Sequence, residues 1–161
     1  MKDGADIIDI GAESTRPGAK RVSEEDEQTR VLGAVDALIP EGAVLSIDTT
    51  RASVARMALE HGAQIINDVS GGQLDREVPH AVAEHTESLY IVQHWRGWLA
   101  GSAGNVPDAD TSVYANDVVD DVYDELMKQV DDVLHAGVAP SQIIIDPGLD
   151  SPNRASNITS R

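Results

Sequence analysis

Cysteine and phenylalanine are absent from the 161 residues, and tryptophan and tyrosine contribute only two and three side chains. Without cysteine there is no disulfide, no thiolate metal site and no cysteine nucleophile. Without aromatic bulk the core has to be built from Ile, Val, Leu and Ala, which suits a parallel sheet covered by helices. Positive charge is also short: 12 Lys and Arg stand against 28 Asp and Glu, a net charge of −16. That balance argues against nucleic acid and anionic membrane as partners. No apolar run approaches the ~18 residues of a membrane span and no signal peptide opens the chain, so a cytoplasmic protein is expected. The histidines show no metal-ligand spacing, and neither a Gly-rich phosphate loop nor a Gly-x-Ser-x-Gly elbow occurs. Acidic residues gather in Glu24–Glu27 and Asp117–Asp132, expected as solvated helix faces.

What is present begins at Ala5–Gly18. Ala5–Ile10 is a short Ile-dominated run with little alternation, the pattern of a strand buried on both faces. It turns abruptly polar between Gly11 and Gly18. The arrangement recurs along the chain. Strands are expected at Ala43–Ile47, Gln64–Ile66, Leu89–Gln93 and Gln142–Asp146, and helices at Ala52–Glu60 and about Asp75–Glu84. A further helix starts at Ser23, with Asp26 in a capping-box position, and runs through Val31, Leu32, Val35, Leu38 and Ile39. The longest helix is expected to be capped by Asn116, to carry Val118, Val119, Val122, Leu126, Val130, Val133 and Leu134 on one face, and to close at Gly137. Met1–Gly4 reads as the tail of a helix, Trp95–Ala115 as a long aperiodic loop, and Leu149–Arg161 as disordered.

Alternation of strand and helix with short turns implies right-handed βαβ units and an α/β fold with a parallel sheet. Five strands fit either a small doubly wound sheet or five-eighths of a (β/α)₈ barrel; a complete barrel needs roughly 250 residues.

In either fold the site lies at the carboxyl ends of the strands. Asp48, Asn67 and Asp146 stand there, each at the end of a different strand. Asp48 could instead cap a helix, Asn67-Asp68 could form a turn, and Asp146-Pro147-Gly148 could be a stiff turn that the Asp starts. Together, two carboxylates and an amide can pair with a flat heterocycle carrying an amino group beside a ring N–H. Glu13-Ser14-Thr15-Arg16 adds hydroxyls and a cation, and Arg16 could bind a carboxylate or phosphate bidentately or pair with a nearby Glu. His94 ends the fourth strand, either as a pocket wall or as a packed histidine.

Five blocks resemble dihydropteroate synthase: Asp6–Gly18, Ser46–Thr49, Ile65–Gly72, His94–Gly97 and Ile144–Gly148. The resemblance covers essentially Ala5–Leu149 and implies strands two to six of a (β/α)₈ TIM barrel. It implies an enzyme that condenses 4-aminobenzoate with 6-hydroxymethyl-7,8-dihydropterin pyrophosphate, with Mg²⁺ on the leaving group. Carried over by position, Asp48, Asn67, Asp146 and His94 would line the pterin pocket, with Asp48 and Asp146 in the catalytic roles. Ser14, Thr15, Arg16 and Pro17 would meet the aminobenzoate. A homodimer is possible, and pterin-dependent methyltransferases share the barrel and the strand-end Asp/Asn pattern.

The family's first strand, whose Asn loop helps position Mg²⁺, is expected before Met1, and its last strands, with their basic blocks, are not found. The expected division is 1–149 as an incomplete pterin-binding barrel and 150–161 as an aberrant tail. Loss of one base from codons for Gly-Phe-Ser-Lys-Pro-Gly yields Asp150-Ser-Pro-Asn-Arg-Ala155, so the tail reads as out of frame. By itself such a chain is expected to bind pterin weakly at best and to be inactive, with apolar sheet edges at Ala5–Ile10 and Gln142–Ile145.

Overall fold

The computed structural model describes residues 4–14, 21–96 and 114–148. Thr15, Arg16, Pro17, the tail 150–161 and most of the 95–115 loop lie outside them. Five strands alternate with four helices: β1 (Ile7–Gly11), α1 (Glu24–Leu38), β2 (Val44–Asp48), α2 (Ala52–Glu60), β3 (Ile65–Asp68), α3 (Glu77–Ala83), β4 (Leu89–Gln93), α4 (Val118–His135) and β5 (Ile143–Asp146). All neighbouring strands are parallel and the sheet order is β1-β2-β3-β4-β5. A doubly wound sheet reverses its strand order at a switch point; this one never does. The sheet is an unclosed run of a (β/α) barrel.

Strand alternation divides the sheet into two faces. Leu45, Ile47, Ile66, Tyr90 and Val92 are fully buried on one, against Val31 and Val35 of α1, Val54 and Ala58 of α2, Val78 and Val82 of α3, and Val130 and Val133 of α4. The other face carries Ser46, Asp48, Asn67, Ile91, Gln93, Ile144 and Asp146, which the parallel register sets side by side. β1 forms where expected but is not buried on both faces: its residues alternate between exposed and half-buried, and Ile7 is 51% exposed. It has only one neighbouring strand among the described residues. At the other edge Ile144 and Ile145 are 40% and 49% exposed, one on each face.

The helices start where side-chain oxygens can take their free N–H groups. Ser23 Oγ accepts from the Asp26 amide at 3.1 Å, the expected cap of α1. In α4 the cap is Asp117, whose Oδ1 accepts from the Val119 amide at 2.9 Å. Asn116 instead donates its side-chain N–H to Asp121 at 2.7 Å. Val119 is not on the buried stripe but 73% exposed, because the first turn of α4 reaches past the core formed by Leu126, Val130 and Val133. Glu27 corrects the solvated-face reading of α1. It is 1% exposed and shares a four-residue spacing with buried Val31 and Val35. Among the described residues no helix is long and apolar enough to cross a membrane.

Gln142, just before β5, ties the end of α3 to the sheet. Its buried amide donates to the carbonyls of Ser88 and His85 at 2.9 and 3.1 Å, and more loosely to Val82. Its Oε1 accepts from Ala139 N. Gln142→Ala strands several buried carbonyls at once, so a stability loss of about 2–3 kcal/mol is expected from the urea midpoint. A loss below about 0.5 kcal/mol would mean that water reaches those carbonyls in the native state.

Candidate active site

Asn67 and Asp68 end β3 and face opposite ways. Asp68 is fully buried under the helices and accepts four hydrogen bonds, from Ser70 N and Oγ, Gly72 N and Tyr90 OH, all between 2.7 and 2.9 Å. Burial raises its carboxyl above the ordinary range, against the pull of those donors. Gly72 sits at φ +79°, and a Cβ there would fall 2.8 Å from Pro79 Cγ, so only glycine brings its N–H to this carboxylate. The turn reading of the Asn-Asp pair therefore holds for Asp68, while Asn67 is left on the opposite face.

Asp48 lies level with Asn67 and with Gly11 across the sheet. It is not a helix cap: α2 begins at Ala52, whose amide donates to Asp75 Oδ2 at 2.8 Å. Asp48 Oδ1 is buried and accepts no hydrogen bond among the described residues. Burial pushes the carboxyl up to about 7, and the negative charges of Asp9, Asp68 and Glu13 push in the same direction. Ser46, two residues back on the same face, also has a buried hydroxyl without a described partner.

Asp146 ends β5, level with Gln93. Its Oδ1 accepts from Gly148 N at 2.8 Å, so the carboxylate does start the turn, and its main-chain oxygen accepts from His94 N at 2.8 Å. His94 points the other way. Its ring is 1% exposed, with Nε2 2.8 Å from Glu125 Oε2 on α4. The same Glu125 takes two hydrogen bonds from Arg96, at 2.8 and 2.6 Å, which hold its carboxyl below the ordinary range. The Arg96 guanidinium lies 4.0 Å from the Tyr114 ring centroid. Strand alternation thus gives the open face to Gln93, a residue that reading the strand end at His94 misses.

Glu13 and Ser14 follow β1. Ser14 is exposed, and Glu13 is held by Arg21 Nε at 2.8 Å, Val22 N at 2.9 Å and Arg51 at 3.3 Å. Arg51 also forms an ion pair with Glu27, whose Oε1 accepts from Thr49 Oγ1 at 2.6 Å. Residues on both sides of 15–20 are therefore fastened to the end of β2 by buried charge. Local spacing did not signal this cluster, because Glu13 and Glu27 pair with the distant Arg51.

Asp48, Asn67, Gln93 and Asp146 are brought to one face, Glu13 and Ser14 stand at its edge, and His94 lies behind it. The arrangement offers carboxylates and amides to a flat, hydrogen-bonding ring. Among the described residues no three His, Asp or Glu side chains are placed to hold a metal ion. The Mg²⁺ that the resemblance implies therefore has no such ligand set among the described residues. A cleft of about 250 Å³ lies elsewhere, between α3 and α4, lined by Gly71, Pro79, His80, Asp132 and Val133.

A family profile described as pterin binding enzyme matches residues 1–158. The dihydropteroate synthase of Mycobacterium leprae is 44% identical over 92% of the chain and 50% of its own length. Among solved structures, the Burkholderia cenocepacia dihydropteroate synthase complexed with 7,8-dihydropteroate is 40% identical, with a TM-score of 0.79 over 92% of this chain and 50% of that one. The Xanthomonas albilineans dihydropteroate synthase with 4-aminobenzoic acid is 32% identical, with a TM-score of 0.77 over 92% and 49%. The chain spans about half the length of the curated relatives it matches.

The raised Asp48 carboxyl predicts a pH-dependent stability. The folded chain holds a proton to about 7 that the unfolded chain releases near 3.8. Stability therefore falls as pH rises through that window, by up to about 4 kcal/mol at ~1.4 kcal/mol per unit. In Asp48→Asn the titrating group is gone, so the variant should gain on the parent as pH rises from 5 to 7 and hold a constant lead above about 8. Urea midpoints at pH 5 and pH 8 measure this; the same difference at both values would contradict it.

Proposed function

The chain belongs to the pterin binding enzyme family, and we propose that its open strand-end face is the pterin side of a dihydropteroate synthase active site. The reaction joins 4-aminobenzoate to 6-hydroxymethyl-7,8-dihydropterin pyrophosphate. The arylamine nitrogen bonds to the exocyclic CH₂, the C–O bond to pyrophosphate breaks, and the amine loses a proton. The observation that carries the reading is the register, which sets Asp48 beside Asn67 and Gln93 beside Asp146 on a single face. Relatives of this fold hold 7,8-dihydropteroate and 4-aminobenzoic acid in the crystal. The relatives' folate-synthesis descriptions do not favour methyl transfer.

In this reading Asp146 accepts two parallel hydrogen bonds from the ring's amino group and the adjacent N–H. Asn67 supplies a donor and an acceptor to the ring nitrogens. Asp48 faces the ring as the leaving group departs. Its charge is unfavourable in the empty, acidic pocket and becomes favourable beside developing positive charge, the condition for preorganised electrostatic stabilisation. His94, packed behind the sheet against Glu125, takes no part in this pocket. Ser14, Thr15, Arg16 and Pro17 meet the aminobenzoate, with the Arg16 guanidinium suited to its carboxylate. Closing this side excludes water as a competing nucleophile. A cytoplasmic location belongs to the same proposal and rests on the family. So does a homodimer.

Calorimetric titration with a non-hydrolysable dihydropterin pyrophosphate analogue should show saturable binding. Asp146→Asn should weaken it at least about tenfold, since a hydrogen bond to a charged partner contributes about 1.5–3 kcal/mol. Equal affinity in the two proteins would remove Asp146 from the site, and no binding by the folded parent would remove the pocket.

A further inference from the structure

Asp9 lies inside β1, so a pattern of polar strand ends does not pick it out. The register pairs Asp9 with Ser46 and Gly11 with Asp48, and alternation puts all four on the open side of the sheet. Asp48 leans toward this strand: a Cβ on Gly11 would stand 3.4 Å from Asp48 Oδ2 and 3.5 Å from its Cβ. Glycine at that point places no side chain between the Asp48 carboxyl and Asp9. Ser46, beside Asp9 and two residues before Asp48, is 3% exposed, and its hydroxyl has no partner among the described residues. Three negative charges face Asp48: Asp9 on its own side of the sheet, Glu13 beyond β1, and Asp68 at the end of β3. Glu13 is offset by Arg21 and Arg51, and Asp68 by four hydrogen bonds. Asp9 forms no salt bridge among the described residues. After burial itself, it is the strongest influence raising the Asp48 carboxyl.

We propose that Asp9 is a positioning residue that keeps the Asp48 carboxyl protonated and neutral in the empty pocket, so that positive charge on a bound ring is what ionises it. The proposal rests on the reading of this face as a pterin pocket. Two ionised carboxylates on adjacent strands repel, and where one of them is buried the lower-energy state keeps a proton on it. Among the described residues no cation pairs with either Asp9 or Asp48 to relieve that repulsion. Positive charge at the ring's exocyclic carbon reverses the balance, because attraction to it then outweighs repulsion from Asp9. Asp48 releases its proton to solvent and remains as a carboxylate beside the cation, with the Ser46 hydroxyl available to donate to it. Asp9 thus acts on the ring only through Asp48.

The test reads the proton on Asp48 directly, by NMR of the whole chain carrying ¹³C-labelled aspartate. The Asp48 carboxyl signal is assigned by its loss in Asp48→Asn and followed from pH 4 to pH 9. Asp9 is exposed, so Asp9→Asn removes a charge without opening the core. It should lower the Asp48 midpoint by about half to one unit, the effect of one charge on a neighbouring strand. Asp6→Asn removes the same charge just before β1 and should leave the midpoint in place. In the parent, 6-aminomethylpterin, whose ammonium group sits on the exocyclic carbon, should lower the midpoint on binding; uncharged 6-hydroxymethylpterin should not. A midpoint unmoved by Asp9→Asn, or moved equally by Asp6→Asn, would overturn the proposal. So would a midpoint that bound 6-aminomethylpterin leaves in place. If neither pterin binds and Asp9→Asn still lowers the midpoint, the coupling of the two carboxyls stands and the pocket reading falls.

Discussion

The buried carboxylate of Asp68 is the interaction on which the rest of the structure depends. It gathers donors from the turn after β3 and from Tyr90 on β4, and no other side of the sheet could satisfy it. An unpaired buried carboxylate is too costly to persist, so this network fixes which way β3 faces at its last residue. Side chains alternate along a strand, and a slip of one residue would turn every side chain over. With Asp68 under the helices, Asn67 must face the open side. The parallel register then carries the same assignment to Asp48, Gln93 and Asp146.

Two consequences follow for the chemistry. Polar groups on the open face are spared the helix layer and are left with few internal partners, as Asp48 Oδ1 and Ser46 Oγ show. The charge that destabilises Asp48 in the empty pocket is the charge a cationic ring would find useful, so in the proposed function stability and catalysis pull this residue in opposite directions. Around the face, partly buried ion pairs link separate elements. Glu13, Arg21, Arg51 and Glu27 hold residues on both sides of 15–20, and Glu125 holds Arg96 before 97–113.

Much of this was legible in the sequence because local rules and the global fold agree. α2 and β4 run as read from Ala52–Glu60 and Leu89–Gln93, and Ser23 caps α1 as its spacing with Asp26 implies. The strand-end positions of Asp48, Asn67 and Asp146 followed from Ile-rich runs ending in polar residues. What was not legible depends on partners distant in sequence. Glu27 sits in an acidic run that reads as solvated, yet Arg51 lies 24 residues on. The one local clue was its four-residue spacing with Val31 and Val35, which puts it on the buried stripe. Asn116 and Asp117 are both good caps, and only the start of α4 chooses between them. His94 was read by its place at a strand end; its phase relative to Val92 puts it on the buried side and gives the open face to Gln93.

The most direct measurement is a crystal structure of the chain with 6-hydroxymethylpterin bound. The account predicts the ring on the open face, with its amino-pyrimidine edge against Asp146, Asn67 beside it, and Asp68 undisturbed under the helices. A ring in the cleft between α3 and α4, or against His94 and Glu125, would show that the division of the sheet made at Asn67 and Asp68 does not direct the ligand.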